Sequence, residues 1–475
     1  MEKKKFFFLL GVVLIFVLFL AFCQKSVFFL KSQSSLKFQD NIPKEEKVIS
    51  PEEKSQPVLT EDKEEKAVTA NNKKEKKKEE QKIEVIDGLL IIRQLDKEFI
   101  KKSLQLGKEF LFKAEDKERH GFHKYYFLEA DTFNEQLHTP YTASIIYTFL
   151  FIYDYDKDNK ILSYLKDWGD FLLSMQNKNK ENYGAFSYSL DLKTGEKEKR
   201  FPVGTSALSI FTLLRLYEFT HNPKYLNSAK LAGDWLLTMI KSNGMVKPYV
   251  RYDREEGIWV AGKKESLLYE GQTLSALSKL YCATKEKKYL EGARKIAERF
   301  FSKYEKAQGY VQGEYRKKNP ISNCWVVMSL LDFYKASGEE KYKKVVFELS
   351  SLVLKNQITD KEDIYNFGRI KGAYSSSGNG WISEVMTDVY HFCQEEKRQD
   401  CQKYKDSAIK VMRWVLQHTI MEENASFFKN PQRAVGGIFW NRENRAYVRT
   451  DTVCHALNAY AKILKDLPEG ILLSL

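Results

Sequence analysis

Three groups of residues have the types and spacing for proton transfer or sugar chemistry. Glu270 falls on the apolar stripe Leu267, Leu274, Leu277, Tyr281, so a helix points it where its apolar neighbours point. A carboxylate held there has a raised pKa and suits general acid work. The plainer role is a first-turn glutamate favoured by the helix dipole. Asp451 and His455 stand four apart and share a helix face, where together they can hold a water or a sugar hydroxyl. Arg449, just before them, is suited to grip a carboxylate. Trp381, Glu384, Asp388 and His391 follow one helix face at spacings of three, four and three, with Ile382, Val385, Met386 and Val389 on the other. That polar face lines a cavity mouth or is solvated surface. His138, Tyr269 and Trp440 complete the candidate ligand contacts.

Other chemistries are weaker. Cys324, Cys454 and His455 would make a two-Cys, one-His zinc set, but lone cysteines on helices are usually just buried. His120 and His123 are a minor metal hint. There is no phosphate-binding glycine loop and no nucleophile elbow. No metal and no cofactor are expected. The last loop carries Arg433, Arg442, Arg445 and Arg449 against one Glu443, a cluster suited to an anionic glycan or else dispersed surface arginine. Aromatic residues crowd the loops, where flat rings suit sugar faces or pack the loops down.

These residues need elements to position them. Glycine followed by aromatic or apolar residues recurs at Gly121, Gly184, Gly244, Gly309, Gly372 and Gly437, at steps of 63, 60, 65, 63 and 65 residues. Between them, apolar residues at i, i+3, i+4 and i+7 mark paired amphipathic helices. Tyrosines eight apart recur as Tyr217/Tyr225, Tyr281/Tyr289 and Tyr334/Tyr342. The pattern predicts twelve helices, at 97–113, 140–156, 160–177, 203–221, 223–242, 266–284, 286–303, 319–336, 339–356, 380–396, 400–419 and 450–466. Tyr183–Arg200 and Val246–Trp259 read as small hairpins.

Composition bounds the rest. The 475 residues are 43% hydrophobic with six cysteines, which excludes a collagen-like chain, a wholly disordered one and a small disulfide scaffold. Net charge is +13, without a compact basic block in the folded part, so nucleic acid is not an expected partner. Phe6 to Cys23 is an uncharged apolar run behind three lysines, which reads as an uncleaved anchor over residues 1–24 with the remainder exported. A cleaved signal peptide is the competitor, but the bulky Phe22 suits no cleavage site. Residues 25–82 read as a charged, disordered spacer. Residues 83–475 read as one domain. Cys393 and Cys401 flank a helix–helix turn and can form a disulfide if the domain is exported.

Six hairpins of about 63 residues suggest a closed ring with no end faces left to cap. Through that architecture, and phrases such as YEGQTLSALSKLY (269–281) followed by KKYLEGARKIAERF (287–300), residues 95–467 resemble the (α/α)6-toroid superfamily of six-hairpin glycosidases, sugar epimerases and related polysaccharide-active enzymes. The resemblance implies an all-α (α/α)6 toroid with small β-hairpin loops and a ligand site at the loop face, where the inner helices start. Joined to the anchor read at residues 1–24, it implies a membrane-tethered, extracytoplasmic enzyme acting on a polysaccharide or oligosaccharide. The favoured reaction is glycoside hydrolysis, with Glu270 as acid and Asp451 or Glu384 activating water. A uronate epimerase or lyase, with His455 or His138 abstracting a carbon-bound proton, is one alternative. A non-catalytic glycan- or peptide-binding module is another. The remaining contacts would be Arg449, Trp381, Asp388, Trp440 and Tyr269.

Overall fold

All twelve predicted segments form helices. The computed structural model describes residues 83–307, 309–313 and 319–475. Its long helices are α1 (Lys97–Lys113), α2 (Thr139–Asp156), α3 (Asn159–Ser174), α4 (Val203–Thr220), α5 (Pro223–Thr238), α6 (Leu267–Thr284), α7 (Lys287–Ala307), α8 (Pro320–Ser337), α9 (Glu340–Lys355), α10 (Ser376–Glu395), α11 (Gln402–Leu416) and α12 (Thr450–Ile463). The expected anchor (1–24) and spacer (25–82) lie outside the described residues. Among the described residues, no helix is long and apolar enough to cross a membrane.

The even-numbered helices form the inner layer. Each packs on the next, and α12 packs on both α10 and α2, so the ring closes. The odd-numbered helices lie outside, with α1 against α12 and each later one against the inner helix before it. Outer helices are amphipathic because one side meets water. Inner helices are apolar nearly all round, as in α2 (TPYTASIIYTFLFIYDYD), because both sides are packed.

Helix pairs turn through a left-handed residue (Lys157, His221, Lys285 or Gly338) whose backbone N–H donates to a carbonyl one turn back, on Tyr153, Tyr217, Tyr281 and Tyr334. The second member of each tyrosine pair is buried on an outer helix. The hydroxyl of Tyr289 donates to Asp234 and that of Tyr342 to Glu298, each on the preceding outer helix. The eightfold spacing thus records one turn and one lateral contact.

The glycine repeat has a similar cause. Gly184, Gly244, Gly368 and Gly436 all have positive φ, and a Cβ on any of them would sit 1.9–2.3 Å from a carbonyl oxygen of the next outer helix around the ring. The fifth repeat therefore uses Gly368, not Gly372, and the sixth Gly436, not Gly437; the first puts His120 (φ +60°) at this place, and Gly309 of the fourth makes no such approach. The expected start of the fifth inner helix at 380 is also corrected to Ser376. The text SSGNG reads as a loop, but Ser375 caps the helix by accepting from Gly378 N–H, and Gly378 leaves room for Ile321.

Strands lace the loops between repeats. They are β1 (Glu84–Ile86), β2 (Leu89–Ile91), β3 (Gln94–Asp96), β4 (Tyr125–Phe127), β5 (Thr132–Phe133), β6 (Gln136–His138), β7 (Ser189–Asp191), β8 (Arg200–Pro202), β9 (Tyr249–Asp253), β10 (Ile258–Ala261), β11 (Tyr447–Arg449) and β12 (Ile471–Ser474). β9 and β10 form the hairpin expected at 246–259. Tyr183–Arg200 also closes as the expected hairpin, through Tyr188 N–H to Arg200 O, Glu198 N–H to Ser189 O and the Leu190–Lys197 bridge, and its arms go on to pair outward, β7 with β6 of the preceding loop and β8 with β9 of the next. β11 pairs with β4, and β12 with β3, which ties the last repeat to the first. Cys393 and Cys401 are disulfide-bonded.

Candidate functional site at the mouth of the ring

Counted from its first residue, each inner helix turns its second, sixth, ninth and thirteenth residues toward the ring axis, the repeat expected for one face of a helix. The second and sixth residues of all six helices line one cavity of about 290 Å³ on the loop side. The second residues are Pro140, Gly204, Leu268, Ile321, Ser377 and Asp451, and the sixth are Ser144, Leu208, Gln272, Trp325, Trp381 and His455. Tyr141, Tyr188, Tyr269, Trp440 and Arg449 add to the wall.

The cavity has an aromatic side and a polar side. Trp325 and Trp381 stack at 3.9 Å between centroids, and the His455 ring lies 5.2 Å from Trp381. Gly204 lets Tyr269 and Gln272 close in, since a Cβ there would lie 2.7 Å from the Tyr269 ring. Arg449 holds both oxygens of Asp451, Nε at 3.0 Å and a terminal nitrogen at 2.5 Å. The same guanidinium donates to the Tyr141 hydroxyl at 3.2 Å and lies over the Trp440 ring at 4.8 Å. Ser377 donates to Asp451 at 3.3 Å.

Beneath the mouth lies a buried charge network. His455 Nδ1 is 2.9 Å from Glu384 Oε2, which leaves Nε2 as the ring nitrogen available to a ligand. The other oxygen of Glu384 accepts from Asn458 at 3.1 Å and Lys462 at 3.2 Å. Lys462 also donates to Asp388 at 2.9 Å. Burial alone would raise the Glu384 carboxyl, but Lys462 and His455 overcome it and hold it below its ordinary value. Asp388 stays raised by burial despite Lys462. In the same layer, Lys279 donates to Asp332 at 2.8 Å. The network fixes the His455 tautomer and ring orientation, as a buried carboxylate does for an acid–base histidine.

The structure separates the sequence candidates. Asp451, His455, Arg449, Trp381, Tyr269 and Trp440 line the cavity. Glu384 touches His455 from below, and Asp388 lies a turn deeper. His391, at the end of the same face, bonds Asp466 at 2.7 Å. His138 is buried behind the wall, edge-on to Tyr141 and Tyr188, and burial pushes it down to about 4, so it is neutral at pH 7.

Glu270 does not line the cavity. It is the fourth residue of α6 and points outward between the layers, where it accepts the Val246 N–H at 3.3 Å and lies 3.6 Å from Arg299 of α7. The fourth residue of four other inner helices does the same job. Thr142, Ser206, Asn323 and Asn379 accept from the backbone N–H of Phe122, Phe186, Val311 and Ile370. Glu270 is thus the acidic version of a repeated loop anchor, and burial with nearby Glu265 pushes it up to about 8. The sequence stripe was real, but it marks the face toward the outer layer rather than the axis.

The arginines of the last loop are also engaged internally. Arg433 bonds Asp131, Arg442 and Arg445 bond the Asp87 turn, and Arg449 bonds Asp451. Cys324 and Cys454 are buried, and among the described residues no group of three or more His, Cys, Asp or Glu is placed to hold a metal ion. Trp325 and Lys462 were not singled out from sequence. Aligning the inner helices from their first residues finds both, because Trp325 then shares a level with Trp381 and His455, and Lys462 with Asp388.

Residues 205–325 match the family model of glycosyl hydrolase family 76, so this stretch, which includes Tyr269, Gln272 and Trp325, is glycoside-hydrolase-like. Solved structures with the same fold include cellobiose 2-epimerase from Bacillus thermoamylovorans B4167, at 14% identity and TM-score 0.60 over 78% of this chain and 100% of that one. An unsaturated glucuronyl hydrolase specific for heparin is 12% identical with TM-score 0.57, over 78% and 98% of the two chains. The GH76 α-mannanase of Bacteroides thetaiotaomicron is 14% identical with TM-score 0.57, over 78% and 95%. Among curated protein sequences, none matches. These structural likenesses establish the (α/α)6 toroid.

Proposed function

We propose that the chain is a carbohydrate-active enzyme of the glycoside hydrolase kind, working on a polysaccharide or oligosaccharide at the mouth of the ring. The observation that carries this is one cavity joining the Trp325–Trp381 stack to Asp451 and to a His455 backed by Glu384. The stacked indoles suit the flat face of a sugar ring. Asp451 is the carboxylate beside the scissile bond. His455 moves the proton, with Glu384 stabilising its charged form. The family match over the helices that build the wall supports hydrolysis as the reaction. A second reading, epimerisation, is favoured by a different observation. Among the described residues, only Asp451 brings a carboxylate to the cavity lining, whereas hydrolysis commonly uses two. A histidine held on a buried carboxylate suits abstraction of a carbon-bound proton.

The tether and export belong to the same proposal. Residues 1–24 anchor the chain and 25–82 space the ring from the membrane, on its extracytoplasmic side. The Cys393–Cys401 disulfide supports this, because such bonds persist in oxidising compartments.

Incubation of the purified protein with neutral and acidic glycans, read by mass, tests the reaction. Hydrolysis adds one water to the summed product mass, elimination adds none, and epimerisation leaves each molecule's mass unchanged. Absence of any conversion across such a panel would count against the enzyme reading.

A further inference from the structure

A second concavity lies in the loop layer beside the mouth. Strands β8, β9 and β10 form an antiparallel sheet whose register sets Arg200 directly opposite Arg251. Directly opposed residues share a sheet face with Cβ atoms about 5 Å apart, and like charges there are destabilising. Local acids offset the conflict only in part, since five cations face three carboxylates in the lining of the concavity. Glu198 is 3.9 Å from Arg200 and also accepts from Ser189. Asp253 is 3.3 Å from Arg251, with its other oxygen turned to the N–H groups of Glu255 and Glu256. Arg254, in the turn between β9 and β10, joins the two arginines around a space of about 460 Å³, which Lys197 and Lys199 also line, against the carboxylates of Asp191, Glu196 and Glu198.

Arg200 links this space to the mouth. Its guanidinium lies 5.3 Å from the ring centroids of both Tyr188 and Tyr249, and Tyr188 lines the mouth. A chain of sugars lying across Tyr188 would therefore bring its next unit to the arginines. Unlike the arginines of the last loop, Arg251 bonds Asp253 of its own hairpin, and among the described residues neither it nor Arg254 has a hydrogen bond or ion pair to a neighbouring loop.

We infer that the Arg200, Arg251 and Arg254 concavity is a subsite for an anionic substituent, carboxylate, sulfate or phosphate, on the glycan unit next to the one held at the mouth. This rests on the glycan reading of the mouth. An oxyanion between the opposed guanidinium groups accepts forked, charge-assisted hydrogen bonds and removes their repulsion.

The test is affinity electrophoresis of the full chain at 0.15 M salt through gels holding polygalacturonate, dextran sulfate, a glycerol-phosphate polymer, neutral dextran or duplex DNA. At least one anionic glycan should bind ten-fold or more tighter than dextran. Arg251→Gln/Arg254→Gln should abolish that preference, and the Lys/Lys pair should keep part of it, with urea midpoints confirming that both variants fold. The polymer that binds tightest identifies the anion. The inference is overturned if anionic glycans bind no tighter than dextran, if the Gln pair keeps the preference, or if DNA binds equally well. His455→Ala separates the two readings. Its anionic affinity should persist if the subsite exists, whether or not turnover is lost.

Discussion

Lys462 is the cation on which the buried network depends, and replacing it by methionine makes a consequence measurable. Its ammonium lies 3.2 Å from Glu384 and 2.9 Å from Asp388. At an effective dielectric near 20, each such pair attracts by about 5 kcal/mol before desolvation is counted. Removing one partner of a buried ion pair typically costs about 3–5 kcal/mol, because the other is left uncompensated. The sign with pH follows from the carboxylates. In the native protein Glu384 is depressed, so its contribution is present above the unfolded carboxyl value of 4.5 and is lost as pH falls through the lower folded value. Without Lys462, burial acts with less opposition on both acids and raises them. The variant should then lose stability as pH rises above about 4.5. Urea unfolding should show Lys462→Met about 3–5 kcal/mol less stable than the native chain at pH 7.5, with the deficit at least halved at pH 5. A deficit independent of pH, or no deficit at pH 7.5, would refute the reasoning.

Other positions give sharper contrasts. Glu270→Gln should leave turnover within about two-fold and should stabilise the fold as pH rises from 4.5 toward 8. The native carboxyl resists ionising while the unfolded one does not, so the gain at pH 8 has a ceiling of about 4 kcal/mol by urea unfolding. Gly368→Ala should lower the thermal midpoint by several degrees, because φ is +95° and the added Cβ would meet the Lys410 carbonyl at 1.9 Å. Trp381→Ala should weaken binding of any accepted glycan by about ten-fold in a fluorescence titration, through loss of the stack on Trp325. Cys393→Ser/Cys401→Ser should cost about 2–3 kcal/mol by urea unfolding under oxidising conditions, for a loop this short.

The ring was legible because its signals repeat. Apolar periodicity located every long helix of the described residues but not the single turns Glu422–Ala425 and Pro431–Ala434, and the tyrosine and glycine spacings recorded contacts made again in successive repeats. The axis was harder to read. An inner helix is apolar on nearly all sides, so hydrophobic pattern alone cannot separate the face toward the outer layer from the face toward the centre. Glu270 falls on an apolar stripe and Glu384 on a polar face, yet it is Glu270 that anchors a loop between layers and Glu384 that supports a histidine at the mouth. Only the register of the six helix starts distinguishes them, and the start of α10 was hidden in a glycine-rich stretch that reads as loop. The last-loop arginines misled for another reason. The partners of Arg433, Arg442 and Arg445, in Asp131 and Asp87, are 302 to 358 residues away in sequence and become visible only when the ring closes.

The most direct measurement is the turnover number of His455→Ala beside the native chain and Glu270→Gln, on whichever glycan the native chain converts. If the chemistry is done at the mouth, His455→Ala loses at least 100-fold in kcat while Glu270→Gln keeps the native rate. A His455→Ala protein of full activity, or a Glu270→Gln protein that is folded and inactive, would place the reaction elsewhere.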